Sequence, residues 1–200
     1  MGDNYYYIIT GLPFLLSDFE NQKIDYDSIK EQIYEELSSK DRRLVDWLEF
    51  GLNTNNISSH FYNAVKTSKS NFISNYFSFD RSFRNTQVEY LSKKLGKSSE
   101  AYTVGVVNEN FEEKSKVISA LEEKNILDKE MKSDLIRWNK INELTVFEYF
   151  SIDVILAFLT KAKIIQRWSI MNKETGSEFF KKLVDEVRGT FSKEDIKDLK

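Results

Sequence analysis

With 200 residues, 40% of them hydrophobic and 30% charged, the chain has the length of one domain and enough apolar side chain for a sizeable core. A formal net charge of -3 gives it no overall attraction for nucleic acid phosphates. The absence of cysteine excludes disulfides, thiol nucleophiles and thiolate metal sites.

One proline and 7 glycines, with apolar residues recurring at spacings of three and four, predict an all-α multi-helix bundle of antiparallel helices. At the start, Tyr5, Tyr6, Tyr7, Ile8 and Ile9 suit a short extended segment, which Gly11 and Pro13 then turn. No lysine or arginine leads this stretch and no small-residue cleavage site follows it, so it is expected to be part of the folded protein rather than a signal peptide, with a cytoplasmic location. Core packing is the expected main use of its tyrosine rings, with a partner-facing patch as the alternative.

Tyr26, Ile29, Ile33 and Leu37 predict an amphipathic helix started by Asp25 or Asp27. A capping restart at Ser38 to Asp41 leads into a second helix through Leu44, Val45, Leu48 and Leu52, so the two are expected to form a hairpin. After the polar break at 53–59, helix is assigned weakly through Phe77 and clearly from Phe79 to Leu95, where Phe83, Val88, Leu91 and Leu95 share a side and Gly96 closes the helix. Residues 1–200 are taken as one helical domain, with any boundary between lobes at 96–100, where composition turns small and polar.

The second half opens with a helix from Glu109 to Lys124, followed after Asn125 by another carrying Leu127, Met131, Leu135 and Trp138. Thr145 to Glu148 fits a capping box for a helix whose stripe runs Phe147, Phe150, Val154, Phe158, Ala162, Ile165 and Trp168. A second stripe, Ile152, Ile155 and Leu159, makes that helix apolar nearly all round, so it is expected at the centre. Its run Val154 to Leu159 is the longest uninterrupted apolar stretch, far short of the roughly 18 residues that cross a bilayer. A last helix, capped at Thr175 to Glu178 and carrying Phe179, Phe180, Leu183, Val184 and Val187, is closed by Gly189 before a charged tail.

Catalytic patterns are missing. His60 is the only histidine, no glycine-rich phosphate loop is present, and the pairs Glu35-Glu36, Glu112-Glu113 and Glu122-Glu123 lie in charged helical stretches that read as solvated faces. No catalytic residue, cofactor or metal is therefore expected. Two features stand out: Arg81, Arg84 and Asn85 punctuate an apolar helix start, and Lys161, Lys163 and Arg167 edge the most apolar helix. Ion pairing and solvated charge are their ordinary uses.

The stretches Ile141 to Leu159, Ile165 to Trp168 and Lys173 to Gly176, with Tyr5 to Pro13 and Leu37 to Asp41, resemble short bacterial proteins similar to the C subunit of V-type ATPases, called d in eukaryotes. Two anchors resemble the longer C subunits: Phe79-Asp80 with Arg84-Asn85 and Leu91, and Ser151 to Lys161 with Ile165 and Arg167, Phe158 standing where the family has tyrosine. Those subunits are much larger, with repeated helical lobes, and no strict repeat is visible here.

The resemblance implies a non-catalytic central-stalk subunit of a V-type ATPase or ATP synthase. Such a protein sits on the cytoplasmic face of the membrane rotor ring, held to the membrane only through protein contacts. It couples the rotating shaft to the ring for proton or sodium transport. The implied partners are the other ATPase subunits and not nucleic acid, and the candidate contacts are Tyr5, Tyr6, Tyr7, Arg84, Lys161, Lys163 and Arg167. Rival readings are a free-standing helical adaptor or regulator unrelated to rotary ATPases, and an enzyme with a carboxylate metal site.

Overall fold

The computed structural model describes residues 5–105, 108 and 110–171. Among them the chain is all-helical, with eight α-helices and one short 3-10 turn at Thr54–Asn56. The helix expected from Thr175 to Gly189 and the tail beyond it lie outside the described residues, as does Glu109.

The expected extended start is instead a single helical turn and a half, α1, Tyr6–Gly11. Aromatic and β-branched residues suit a strand, but a strand needs a partner, and no other strand exists among the described residues to pair with it. After α1 the chain runs irregularly to Asp25. On the way Phe19, fully buried, packs its ring against Trp138 at 5.3 Å and Trp168 at 6.1 Å.

Helices α2 (Tyr26–Glu36) and α3 (Ser39–Leu52) start where the caps require: the Asp25 side chain accepts from Ser28 N and Ser38 from Asp41 N. They are joined by long polar side chains, the Tyr26 hydroxyl donating to Glu49 and that of Tyr34 to Asp46 at 3.1 Å. The expected hairpin is thus splayed. Each helix packs mainly on a later one, α8 (Ile152–Ile170).

Helix α4 (Ser59–Val65) is capped by Ser58, and α5 (Asn71–Lys94) by Ser70, so the weakly patterned region is divided between α4 and the start of a 24-residue rod that runs on through the clear helix. Its end is a Schellman closure: Gly96 takes φ +64°, Gly96 N donates to Lys93 O, and Lys97 N donates to Ser92 O. Leu91 and Leu95, expected on the buried side, are exposed, because the last turns of α5 lie on the core through Ser92 and Thr86 instead. Helix α6 (Lys114–Leu121) starts five residues later than its expected beginning, and α7 (Ile126–Leu144) is capped by Asn125.

The core has α8 at its centre. It packs against α2, α3, α5 and α7, and Ile155, Leu156, Leu159, Ala162 and Ile165 are all fully buried. One continuous cluster joins residues from Tyr5 to Trp168, and α5 contacts α6, α7 and α8 across the 96–100 turn. That turn is largely exposed.

The start of α8 differs from the sequence expectation by six residues, its cap position being Ser151 rather than Thr145. Thr145 closes α7, donating its hydroxyl back to Ile141 O at 2.9 Å, and α8 begins only after Ser151. Asp153 then ties α8 to the start of α5, accepting from Ser70 Oγ at 2.6 Å and Phe72 N at 3.2 Å. The helical spacing of Phe147 and Phe150 is a coincidence of register with α8, since both precede it.

Two expectations about stability follow from this packing. A Cβ added at buried Gly51 would lie 2.3 Å from Cζ of both Phe61 and Phe77, whose rings are 4.9 Å apart in edge-to-face contact. Gly51→Ala improves helix propensity by up to about 1 kcal/mol, but overpacking of about 1–3 kcal/mol outweighs it. Urea unfolding should show a net loss of about 1–2 kcal/mol; an unchanged or raised midpoint would mean the rings yield freely.

The second concerns alkali. Burial, reinforced by neighbouring carboxylates, pushes the hydroxyls of Tyr26, Tyr62 and Tyr76 well above the ordinary tyrosine value of 10.0. Because the folded state holds these protons more tightly than the unfolded chain, the stability they confer is complete below pH 10 and is lost as pH rises beyond it. Tyrosinate absorbance should therefore lag the free-tyrosine curve and then rise together with loss of helical circular dichroism.

Candidate functional site

Two features are candidates for function. The first is a ridge of exposed aromatic residues. Between the Thr145 closure and the start of α8, a short turn carries Val146, Phe147, Tyr149 and Phe150, all exposed. So short a connection leaves no slack to fold these rings under the bundle.

The N-terminal segment is held against this turn by Tyr5. Its backbone N–H donates to Phe150 O at 3.1 Å, and its hydroxyl donates to Asp41, which also takes the Ser38 hydroxyl. Burial and the Asp41 carboxylate push the Tyr5 hydroxyl above its ordinary value. The next ring, Tyr6, stands 5.0 Å from Phe150 and 5.7 Å from Tyr7, while Tyr7 and Phe147 are each 86% exposed. Tyr7, Tyr6 and Phe150 are thus linked by ring contacts, with Phe147 and Tyr149 on the same turn as Phe150, and so many exposed aromatic rings are uncommon on a protein that has no use for them.

The second feature is an open cationic pocket of about 190 Å³ lined by α5, α7, α8 and the end of α3. Tyr76, Phe77 and Ile164 supply its apolar wall, and Arg84, Arg137, Lys163 and Arg167 its charges, against two carboxylates, Asp80 and Asp134. Both acids are buried and heavily used. Asp80 accepts from Arg84 Nε and the Tyr62 hydroxyl, each at 2.7 Å. Asp134 accepts from Arg137 at 3.1 Å, from Trp168 Nε1 at 2.7 Å and from Arg167, which also reaches Glu130 at 2.8 Å. Their charge outweighs the burial that works against Arg84 and Arg167, keeping both guanidiniums firmly protonated.

The fold thus brings Arg84, Lys163 and Arg167 together, although the first is 79 and 83 positions from the other two in sequence. Arg137, missed from the sequence, joins them; its only signal was a cation three residues after Asp134 on a helix. Lys161 faces elsewhere, its ammonium 5.2 Å from the Trp138 ring, and burial pushes its amine below the usual lysine range. Tyr6 and Tyr7 are at the surface, but Tyr5 is not: a buried ring bonded to Asp41 is an anchor and leaves the set of candidate contacts. His60 is exposed. Among the described residues no three histidine or acidic side chains are grouped to hold a metal ion, and no helix is long and apolar enough to cross a membrane.

A family model described as a protein of unknown function, DUF2764, matches residues 52–190, well over half of the chain. The chain belongs to the DUF2764 family. No curated protein and no solved structure matches it. The DUF2764 match includes all four cations of the pocket and the turn at 146–150, and begins at the end of α3, after the tyrosines of α1.

Proposed function

We propose that the protein is a non-catalytic subunit of a V-type ATPase or ATP synthase, coupling the rotating shaft to the membrane rotor ring. In this reading it works on the cytoplasmic face of the membrane, attached through its protein partners. The observation that carries the reading is the aromatic ridge. It is built where two of the stretches that supply the resemblance to the ATPase C subunits, Tyr5 to Pro13 and Ile141 to Leu159, meet in space. Residues that look like the family's are therefore spent on an exposed apolar surface rather than only on the core, as an interface requires.

The two stretches that resemble the longer C subunits also adjoin. Helix α5, which carries Asp80, Arg84 and Asn85, packs on α8, and Asp80, Arg84 and Arg167 line one pocket. The Asn85 side chain clamps the α5–α6 connection, accepting from Val104 N at 2.9 Å and donating to Val104 O at 3.1 Å.

The decisive experiment is copurification of the tagged chain from its native cell in mild detergent. Recovery of catalytic head, shaft and ring proteins is expected. Recovery of none of them would overturn the assignment in favour of a free-standing helical adaptor.

A further inference from the structure

We infer that the pocket between α5, α7 and α8 is a binding site for a phosphate-type oxyanion. Four cations meet three carboxylates, Asp80 and Asp134 in the wall and Glu130 beside Arg167, which leaves an excess of one positive charge. Buried or half-buried cations normally find carboxylate partners, and here the pairing is incomplete. Arg84 spends only Nε on Asp80, and Arg137 only one terminal nitrogen on Asp134. Lys163 makes no salt bridge among the described residues; its ammonium rests 4.3 Å from the Tyr26 ring centroid. Arg84, Arg137 and Lys163, each with donors that no carboxylate takes, thus line one cavity from three different helices, the Arg137 guanidinium resting 4.2 Å from the Phe83 ring centroid, beside the apolar surfaces of Tyr76, Phe77 and Ile164. Low-dielectric walls strengthen the attraction of such a cluster for an anion, and charge-assisted bonds from a guanidinium suit tetrahedral oxyanions.

Size sets the ligand class. About 190 Å³ is well below the roughly 300 Å³ at which pockets begin to enclose drug-sized molecules. One phosphoryl group fits, and the base and sugar of a nucleotide would remain outside. The site needs no rotary partner, so it stands independently of the coupling role.

The test is calorimetric titration of the full chain at low ionic strength with inorganic phosphate, with ADP in a second arm and chloride at matched ionic strength as control. Phosphate binding saturable at one site per chain is expected, with a rise in Tm that chloride does not reproduce. Tighter binding of ADP than of phosphate would identify the phosphoryl group as one carried on a nucleotide; equal or weaker binding would identify the free anion. Lys163→Gln, which breaks no salt bridge, should weaken binding about tenfold, the worth of one charge-assisted bond. Lys161→Gln, on the Trp138 side of the same helix, should leave it unchanged. Equal effects of phosphate and chloride, or equal losses in the two lysine variants, would overturn the site.

Discussion

Asp134→Ala is expected to lower the free energy of unfolding by about 3–5 kcal/mol, the usual cost of removing one partner from a buried ionic cluster. Asp134 is 2% exposed and stands between three donors from two helices: Arg137 on its own helix, and Arg167 and the Trp168 indole on α8. Alanine would take their shared acceptor from the Arg137 guanidinium and the Trp168 indole N–H and leave Arg167 with Glu130 alone. It would also remove the polar joint that fixes α7 against α8. The loss should appear in guanidinium denaturation as a lower midpoint with an unchanged slope, since the surface exposed on unfolding is the same. Asp134→Asn, which keeps the shape and one acceptor, should fall between wild type and alanine. A loss below about 1 kcal/mol for alanine would mean that Arg167 is satisfied by Glu130 and solvent alone.

Replacing Tyr7 and Phe147 together by serine should leave stability within about 0.5 kcal/mol of wild type, because neither ring is buried. The same double variant should lose most of its partner proteins on copurification. Central aromatic anchors typically contribute about 2 kcal/mol or more to an interface, so the affinity of the complex should fall by at least about 30-fold. Leu95→Ser is the matched control: an exposed apolar residue at the far end of α5, roughly 35 Å from the end that Asp153 ties to α8. If Leu95→Ser reduced recovery as much as the double variant, the ridge would be only one of many sticky surfaces and not the interface.

The two effects separate two kinds of residue. Asp134 concerns whether the bundle forms; Tyr7 and Phe147, in the proposed role, concern what the formed bundle meets. A stability-neutral variant that loses its partners therefore reports on function, and a variant of the pocket must be read against its own unfolding curve.

Local chemistry made much of this fold legible in advance. Asp25, Ser38, Asn125 and Gly96 act at the helix ends where their side chains or conformational freedom place them, because a cap is a bond between residues two to five apart in the chain. The central place of α8 was readable for a related reason: a helix apolar on every side has no face to give to water, whatever its neighbours. The mainly helical character follows from composition and period together.

Contacts between distant parts of the chain were beyond that kind of reading. Periodicity assigned Phe147 and Phe150 to α8, and only the tie from Tyr5 to Phe150 O and the closure at Thr145 show them on a separate exposed turn. Leu91 and Leu95 have the spacing of a core stripe, yet the last turns of α5 lie on the core through Thr86 and Ser92 and leave them bare. Phe19, in a stretch with no periodic pattern at all, fills the gap between two tryptophans. Arg84, Lys163 and Arg167 were separately conspicuous as charges on apolar helices, but nothing local says that α5 and α8 turn them into one pocket with Arg137. From sequence alone the helical class, the caps at Asp25, Ser38 and Gly96 and the apolar centre were determined, since each depends on residues close along the chain. The ridge and the cationic pocket were decided by tertiary structure, since each exists only where helices far apart in sequence are packed side by side.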